Sequence, residues 1–174
     1  MTQEEEFEEV LVENLSPEEL VEYARYGEVA IIKELANQGL NTRLDTAVDE
    51  RGNTMLHMFA ANGYLDCIEE ILRSATNPTD LLNRPNKEGN VPLHWACVAG
   101  QLEAVKLLMA HGAIVAIENT AGRTPVCEAH QHKRTSILEH FEEKLGRKDA
   151  EEATITVTAE DMGKMAISEQ EAEL

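Results

Sequence analysis

The chain repeats itself, and no other feature limits its possible folds as tightly. Three segments align in register: Gly52-Asn-Thr-Met-Leu-His-Met-Phe-Ala-Ala-Asn-Gly63, Gly89-Asn-Val-Pro-Leu-His-Trp-Ala-Cys-Val-Ala-Gly100 and Gly122-Arg-Thr-Pro-Val-Cys-Glu-Ala-His-Gln-His-Lys133. Their opening glycines lie 37 and 33 residues apart. A degenerate copy precedes them, with Leu20, Ala24, Gly27, Val29 and Ile32 matching Leu56, Ala60, Gly63, Leu65 and Ile68 at a constant offset of 36. A period of this length means one supersecondary unit per copy, each unable to bury its apolar face without a stacked neighbour.

Each copy reads as a turn, a short helix, a tight turn at glycine and a second, apolar-striped helix. Leu65, Ile68, Ile71 and Leu72 supply the second stripe in one copy, and Leu102, Val105, Leu107 and Leu108 in the next. Gly27, Gly63, Gly100 and Gly112 fall where helix ends favour positive φ. Ser16-Pro17-Glu18-Glu19 opens the first copy with a cap serine, proline at the first helical position and a glutamate three residues after the cap. With aromatics at only 4% of the chain, the core must rest on Leu, Ile, Val, Ala and Met.

A period near 33 carrying Gly-x-Thr-Pro-Leu-His-x-Ala-Ala-x-x-Gly resembles the ankyrin repeat. The best copy runs from Asn86 to Asn119 and includes Leu102-Glu-Ala-Val-Lys-Leu-Leu followed by His111-Gly112-Ala113. The resemblance implies an all-α solenoid of about four helix-turn-helix repeats over residues 16–145, flanked by an acidic arm (1–15) and an acidic tail (146–174). It also implies a structural role for His57 and His94, bracing the turns by hydrogen bonds. Three departures stand out. Ser74-Ala-Thr-Asn-Pro-Thr-Asp80 lengthens the link between two copies, which predicts an extended helix end or loop. Phe59 sits where the family places a small residue, so packing against the first copy must adjust. The last copy has Cys127 for the histidine and Lys133 for the turn glycine, the irregularity of a terminal cap.

Charge narrows the function. The chain holds 33 acidic and 15 basic residues, a net of −18. Residues 1–22 hold nine acids and no base, and residues 146–174 eight acids and three bases, leaving 16 acids against 12 bases between them. The acidity is mostly terminal. Nucleic-acid phosphates and anionic membranes would repel such a chain, so neither is expected as a direct partner. Apolar runs fall far short of the roughly 20 residues that span a bilayer. Met1-Thr2-Gln3-Glu4-Glu5-Glu6 has no basic or apolar stretch of a secretory signal, so the cysteines are expected to be reduced core thiols.

Chemistry is thinly represented. Cys67, Cys97 and Cys127 fall 30 residues apart, out of step with the repeat, so they form no ladder. Cys127, His130 and His132 have zinc-ligand chemistry, but histidines two apart point to different sides of a helix. No nucleophile elbow, phosphate loop or HExxH is present. The expectation is a non-enzyme with no metal and no cofactor.

What remains is the surface. Turn tips and one face of each first helix should line a groove. The tips place Glu50, Arg51 and Asn53, then Glu88 and Asn90, along it. Helical spacing adds Glu22 and Tyr26 in the first copy, Met58 and Asn62 in the second, and Trp95 in the third. A tryptophan and a methionine flanked by acids suit an amphipathic basic helix, while burial of both in the core is the competing reading.

Within the ankyrin family, Asn86-Lys-Glu-Gly-Asn-Val-Pro-Leu-His-Trp-Ala, the lengthened link and Ile155-Thr-Val-Thr in an acidic tail resemble the fungal ankyrin chaperones dedicated to a ribosomal protein. The resemblance implies a basic client, the small-subunit KH-domain protein S three. The chain would shield this client from aggregation and escort it from cytoplasm to nucleus for ribosome assembly. An ankyrin signalling adaptor or kinase-inhibitor-like module is the alternative. A monomer is expected, because no self-complementary apolar face is evident. In the arm, Phe7, Val10, Leu11 and Leu15 lie at helical spacing, and Thr154–Thr158 alternates like a strand.

Overall fold

A computed structural model describes residues 14–146. The arm through residue 13 and the tail from residue 147, with its Thr154–Thr158 stretch, lie outside the described residues. Two layers of helices are stacked along one axis. The inner layer is α1 (Pro17–Ala24), α4 (Met55–Asn62), α7 (Pro92–Ala99) and α9 (Pro125–Gln131). The outer layer is α2 (Val29–Asn37), α5 (Leu65–Ser74), α8 (Leu102–Ala110) and α10 (Thr135–Leu145). The four helix pairs expected from the repeat are thus present, in register.

Local rules explain the elements. Ser16 accepts a hydrogen bond from the Glu19 N–H at 3.2 Å, and the Glu19 carboxylate accepts one from the Ser16 N–H, closing the capping box read in the sequence. Pro92 and Pro125 occupy first-turn positions of α7 and α9, where no intrahelical N–H is needed. The inner turns end on Gly63 and Gly100 in the left-handed region. In the last copy Lys133 takes that conformation, with φ 54°, the one non-glycine to do so among the described residues.

The reason glycine is dispensable there is visible in the other copies. A Cβ on Gly27 would lie 2.9 Å from the Tyr64 ring, and one on Gly100 would lie 3.0 Å from Arg134 Nε. Each turn is covered by a side chain of the following repeat. No described repeat follows Lys133, so its side chain meets none and only the backbone cost of the conformation remains.

The core is aliphatic, as composition requires, but Phe59 and Phe141 are its largest fully buried side chains. Phe59 is wholly enclosed, and α4 packs on both α1 and α7 around it. Two short helices add to the repeat pattern. The lengthened link folds into α6 (Pro78–Leu82), and α3 (Asn41–Thr46) follows the first pair. They are tied together by side chains: Asn41 Nδ2 donates to the Ser74 carbonyl at 2.8 Å, Thr76 N–H to Asp45 at 3.1 Å, and Arg84 to the Asp45 carbonyl. Among the described residues, no helix is long and apolar enough to cross a membrane.

Candidate protein-binding face

Between the helix pairs the chain forms fingers that project beside the inner layer. The first is pinned by a single antiparallel bridge, Val48 to Thr54. The fingers are stitched by backbone and side chain alike. Lys87 N–H donates to the Arg51 carbonyl at 2.9 Å, and Thr120 N–H to the Glu88 carbonyl at 3.0 Å. Asn86 donates to Asn53 Oδ1 and Asn119 to Asn90 Oδ1, both at 2.8 Å. So close is the approach that a Cβ on Gly89 would stand 2.8 Å from the Thr120 nitrogen.

The two signature histidines fasten each finger to the next repeat. His57 Nδ1 accepts from the Thr54 N–H at 3.1 Å, which places the ring proton on Nε2, 2.9 Å from the Asn90 carbonyl. His94 does the same between the Val91 N–H at 3.1 Å and the Arg123 carbonyl at 2.9 Å. Burial is the main reason both stay neutral. It pushes His57 down to about 4, against the opposing pull of the Asn90 carbonyl, and lowers His94 in the same way. The structural role implied by the family resemblance is what these distances describe.

Not every residue read onto the groove faces it. Asn53 is buried, because its amide bridges Asp49 at 2.9 Å and Asn86 instead of pointing outward. Met58 is also buried, 7% exposed, because α4 is flanked by inner helices on both sides. Asn90 is half-buried and spends its Oδ1 on Asn119. By contrast Glu22, Glu50, Arg51, Asn62 and Glu88 are exposed. Tyr26, 68% exposed, follows the C-terminal end of α1. Trp95 is half-buried on α7, and its indole N–H is enclosed without an acceptor.

The surviving residues are not uniform along the array. At the first-repeat end, Glu18, Glu22, Arg25, Asp49, Glu50 and Arg51 surround a cleft of about 300 Å³ floored by Val21. Arg51 is committed to Glu88 of the next finger, which raises its own proton affinity. Burial alone would raise Asp49, but hydrogen bonds from the Asn53 side chain and from the backbone N–H groups of Asn53 and Arg51 overcome it. Together with the Arg25 charge they hold Asp49 below the usual carboxylate range. The centre, around Trp95, Val98, Ala99 and Ala61, is apolar and partly accessible. At the far end His130, Gln131, His132 and Lys133 are exposed.

The other chemistry considered in the sequence is dispersed. Cys127 is buried on α9 while His130 and His132 are exposed, and no group of three potential metal ligands forms among the described residues. All three cysteines are buried; burial pushes Cys67 up to about 11 and raises Cys97 further, the opposite of an activated thiol.

A family model described as Ankyrin repeats (3 copies) matches residues 20–119 and 80–149. The chain belongs to the ankyrin-repeat family. As an ankyrin stack it is a protein-binding module. Among curated ankyrin relatives, the mouse B-cell lymphoma 3 protein homolog is 33% identical over 94 residues, 53% of this chain. The human DNA-binding protein RFXANK is 41% identical over 58 residues, 33% of this chain. The chain spans only 21% of the length of either relative. Among solved structures, a chain from the crystal structure of the yeast ribosomal protein Rps3 in complex with its chaperone Yar1 superposes with a TM-score of 0.69. That match is 29% identical and covers 74% of this chain and 91% of the other.

Proposed function

We propose that the chain is a dedicated chaperone of a basic small-subunit ribosomal protein, the KH-domain protein S three. It holds the newly made client, prevents its aggregation and escorts it through cytoplasm and nucleus to ribosome assembly. The observation that carries this reading is the likeness to a chain of the yeast Rps3 and Yar1 complex, because it extends over 91% of that chain at 29% identity. A likeness over one or two repeats would support only the fold.

The physical chemistry is consistent with the role. A newly made ribosomal protein carries clustered cations that bind RNA indiscriminately, and an acidic holder attracts it at long range. With a net charge of −18, mostly at its ends, this chain has the sign and distribution for that task. The apolar centre at Trp95 supplies contact that charge alone lacks, and the acidic flanks screen neighbouring basic surface.

Two measurements test the proposal. Purified S three diluted to low salt is followed by light scattering; an equimolar amount of the full chain should suppress the scattering, and no suppression overturns the reading. Binding is then followed as salt is raised. A purely electrostatic complex fades as the Debye length shrinks from about 8 Å at 0.15 M to about 3 Å at 1 M, whereas a complex with a packed centre persists.

The alternative of a signalling adaptor draws on the 33% identity to the B-cell lymphoma 3 homolog. It covers a fifth of that protein, 21%, and so carries less weight. Capture of a kinase or transcription factor in place of S three would favour it.

A further inference from the structure

We infer that the groove between α8 and α10 is the docking site of the chain's own tail, with Ile155 and Val157 on its apolar floor and Glu151 and Glu152 at its basic rim. Both helices belong to the outer layer, so this contact lies away from the inner helices and does not depend on the client proposed above.

Lys106, Met109 and Ala110 form one wall of a cleft of about 670 Å³, and His140, Lys144 and Leu145 the other, with Glu143 the one acid among them. Met109 and Leu145 are half-buried against the aliphatic core and Ala110 is exposed, so the floor is apolar and open. Lys106 is held by Glu103 at 2.7 Å, while Lys144 has no ion pair among the described residues. Two other clefts offer an acidic segment no such match. The one between α2 and α5, about 430 Å³, sets Asp66, Glu69 and Glu70 against Lys33 and Arg73. The one at α1 sets Glu18, Glu22, Asp49 and Glu50 against Arg25 and Arg51. Of the three, only the groove between α8 and α10 carries more cations than carboxylates.

The tail begins where this groove ends. Gly146 follows Leu145, and residues 147–174 hold eight acids against three bases. Neighbouring helices lie roughly 8–10 Å apart, and at 1.5 Å per residue the stretch from His140 to Leu145 is short, so all of the groove lies within roughly 13 Å of Leu145. Four extended residues cover that distance, at roughly 3.3 Å each. An extended chain sends alternate side chains to opposite sides, so Ile155 and Val157 share one face and Thr154, Thr156 and Thr158 the other. The apolar pair fits Met109, Ala110 and Leu145, the threonines are left to water, and Glu151 and Glu152 come first, toward Lys144. Eight residues separate Leu145 from Thr154. So short a tether gives an effective concentration of millimolar order, and a contact too weak to hold two molecules together suffices.

Connection and charge single out this occupant. The acidic arm precedes α1, at the opposite end of the array, and lacks the short tether. A second copy brings the same tail without any tether, against the mutual repulsion of two chains of net charge −18. A basic partner that draws on the tail's carboxylates competes with Lys106 and Lys144 for them, so docking sets how basic a partner must be to engage the tail.

The test uses the full chain with a nitroxide on Thr156→Cys; the three native cysteines are buried, which leaves the label to the introduced one. In the isotope-labelled chain the nitroxide should broaden the amide signals of Met109 and Ala110, which are remote from it in sequence and meet it only across the groove. Adding Ile155→Ser and Val157→Ser should lower the docked-to-free ratio about tenfold, through the loss of two seated aliphatic side chains, and the broadening should fall with it. Unchanged signals from α1 and α4, away from the groove, report that the fold is intact. A mixture of isotope-labelled chain without nitroxide and nitroxide-bearing chain without isotope should leave Met109 and Ala110 sharp. Broadening in that mixture assigns the groove to the tail of a second copy and overturns the inference. No broadening within the labelled chain, or broadening that the serine pair leaves unchanged, overturns it as well.

Discussion

Acid should loosen the array at His57, by an amount set by its burial. The ring is fully enclosed. Its Nδ1 already receives the Thr54 N–H and lies 2.9 Å from the Thr54 hydroxyl, and its Nε2–H is spent on the Asn90 carbonyl, so a second ring proton on Nδ1 would face the Thr54 N–H in a fully enclosed site. Burial dominates in lowering its pKa from 6.5 to about 4. At roughly 1.4 kcal/mol per unit, that depression couples about 3 kcal/mol of folding free energy to protonation. The unfolded chain takes up the proton near 6.5 and the folded chain only near 4. The stability is therefore complete above 6.5, falls by about 2 kcal/mol on reaching about pH 5, and is fully lost below 4. His94, also lowered chiefly by burial, acts in the same direction. An acidic chain has many other groups titrating below neutrality, so the measurement must cancel them. His57→Gln removes the one titrating group at this position. Urea unfolding of wild type and variant at several pH values gives the difference between their unfolding free energies. That difference should shrink by about 2 kcal/mol between about pH 7.5 and 5. A difference that stays constant, or a His57 ring seen by NMR to titrate near 6.5, refutes the reasoning.

Other perturbations probe separate joints. Gly89→Ala puts a Cβ 2.8 Å from the Thr120 backbone nitrogen at φ 76°, and should cost about 1–3 kcal/mol in chemical unfolding. Lys133→Gly removes a left-handed lysine that no following repeat requires, and should raise stability by about 1 kcal/mol in the same assay. Arg134→Met deletes the guanidinium that donates to the Val98 carbonyl from Nε at 3.0 Å and Nη2 at 2.7 Å. A loss of about 1–2 kcal/mol is expected by thermal or urea unfolding, because that carbonyl lies in the last turn of α7. Phe59→Ala empties a wholly enclosed site between α1, α4 and α7 and should cost about 3–5 kcal/mol, read as a lowered urea midpoint.

The parts legible in the sequence are those whose constraint is local. Ser16-Pro17-Glu18-Glu19 announces a capped helix because the cap is made within four residues, and the structure forms it. The apolar stripe of α5 announces an outer helix because ten residues are long enough to show a period. The short helices α3 and α6, of six and five residues, are too brief to show one. They are held by Asn41, Asp45 and Arg84, whose partners lie 31 to 39 residues away. The groove was half legible for a related reason. Helical spacing puts Met58 and Trp95 on a line but does not say how much of that line neighbouring helices cover, and at Met58 they cover nearly all of it. At the first finger, sequence alone does not reveal that Glu50 and Arg51 point out while Asn53 turns in to bind Asp49 and Asn86.

Comparing the copies with one another separates what the stack needs from what it does not. Leu20, Leu56, Leu93 and Val126 occupy one repeat position, and all four are buried aliphatics. Two residues further on, the same register holds Glu22, Met58, Trp95 and Glu128. Stacking dictates the first position and leaves the second open. Glu128 is closed over by Arg123 at 2.7 Å and Asn119 at 3.0 Å, and Met58 by its neighbours. Glu22 and Trp95 stay accessible. A position that changes from carboxylate to indole between equivalent helices cannot be explained by the repeat itself. It is where the array departs from its own repeat, and at Glu22 and Trp95 the departure is open to solvent.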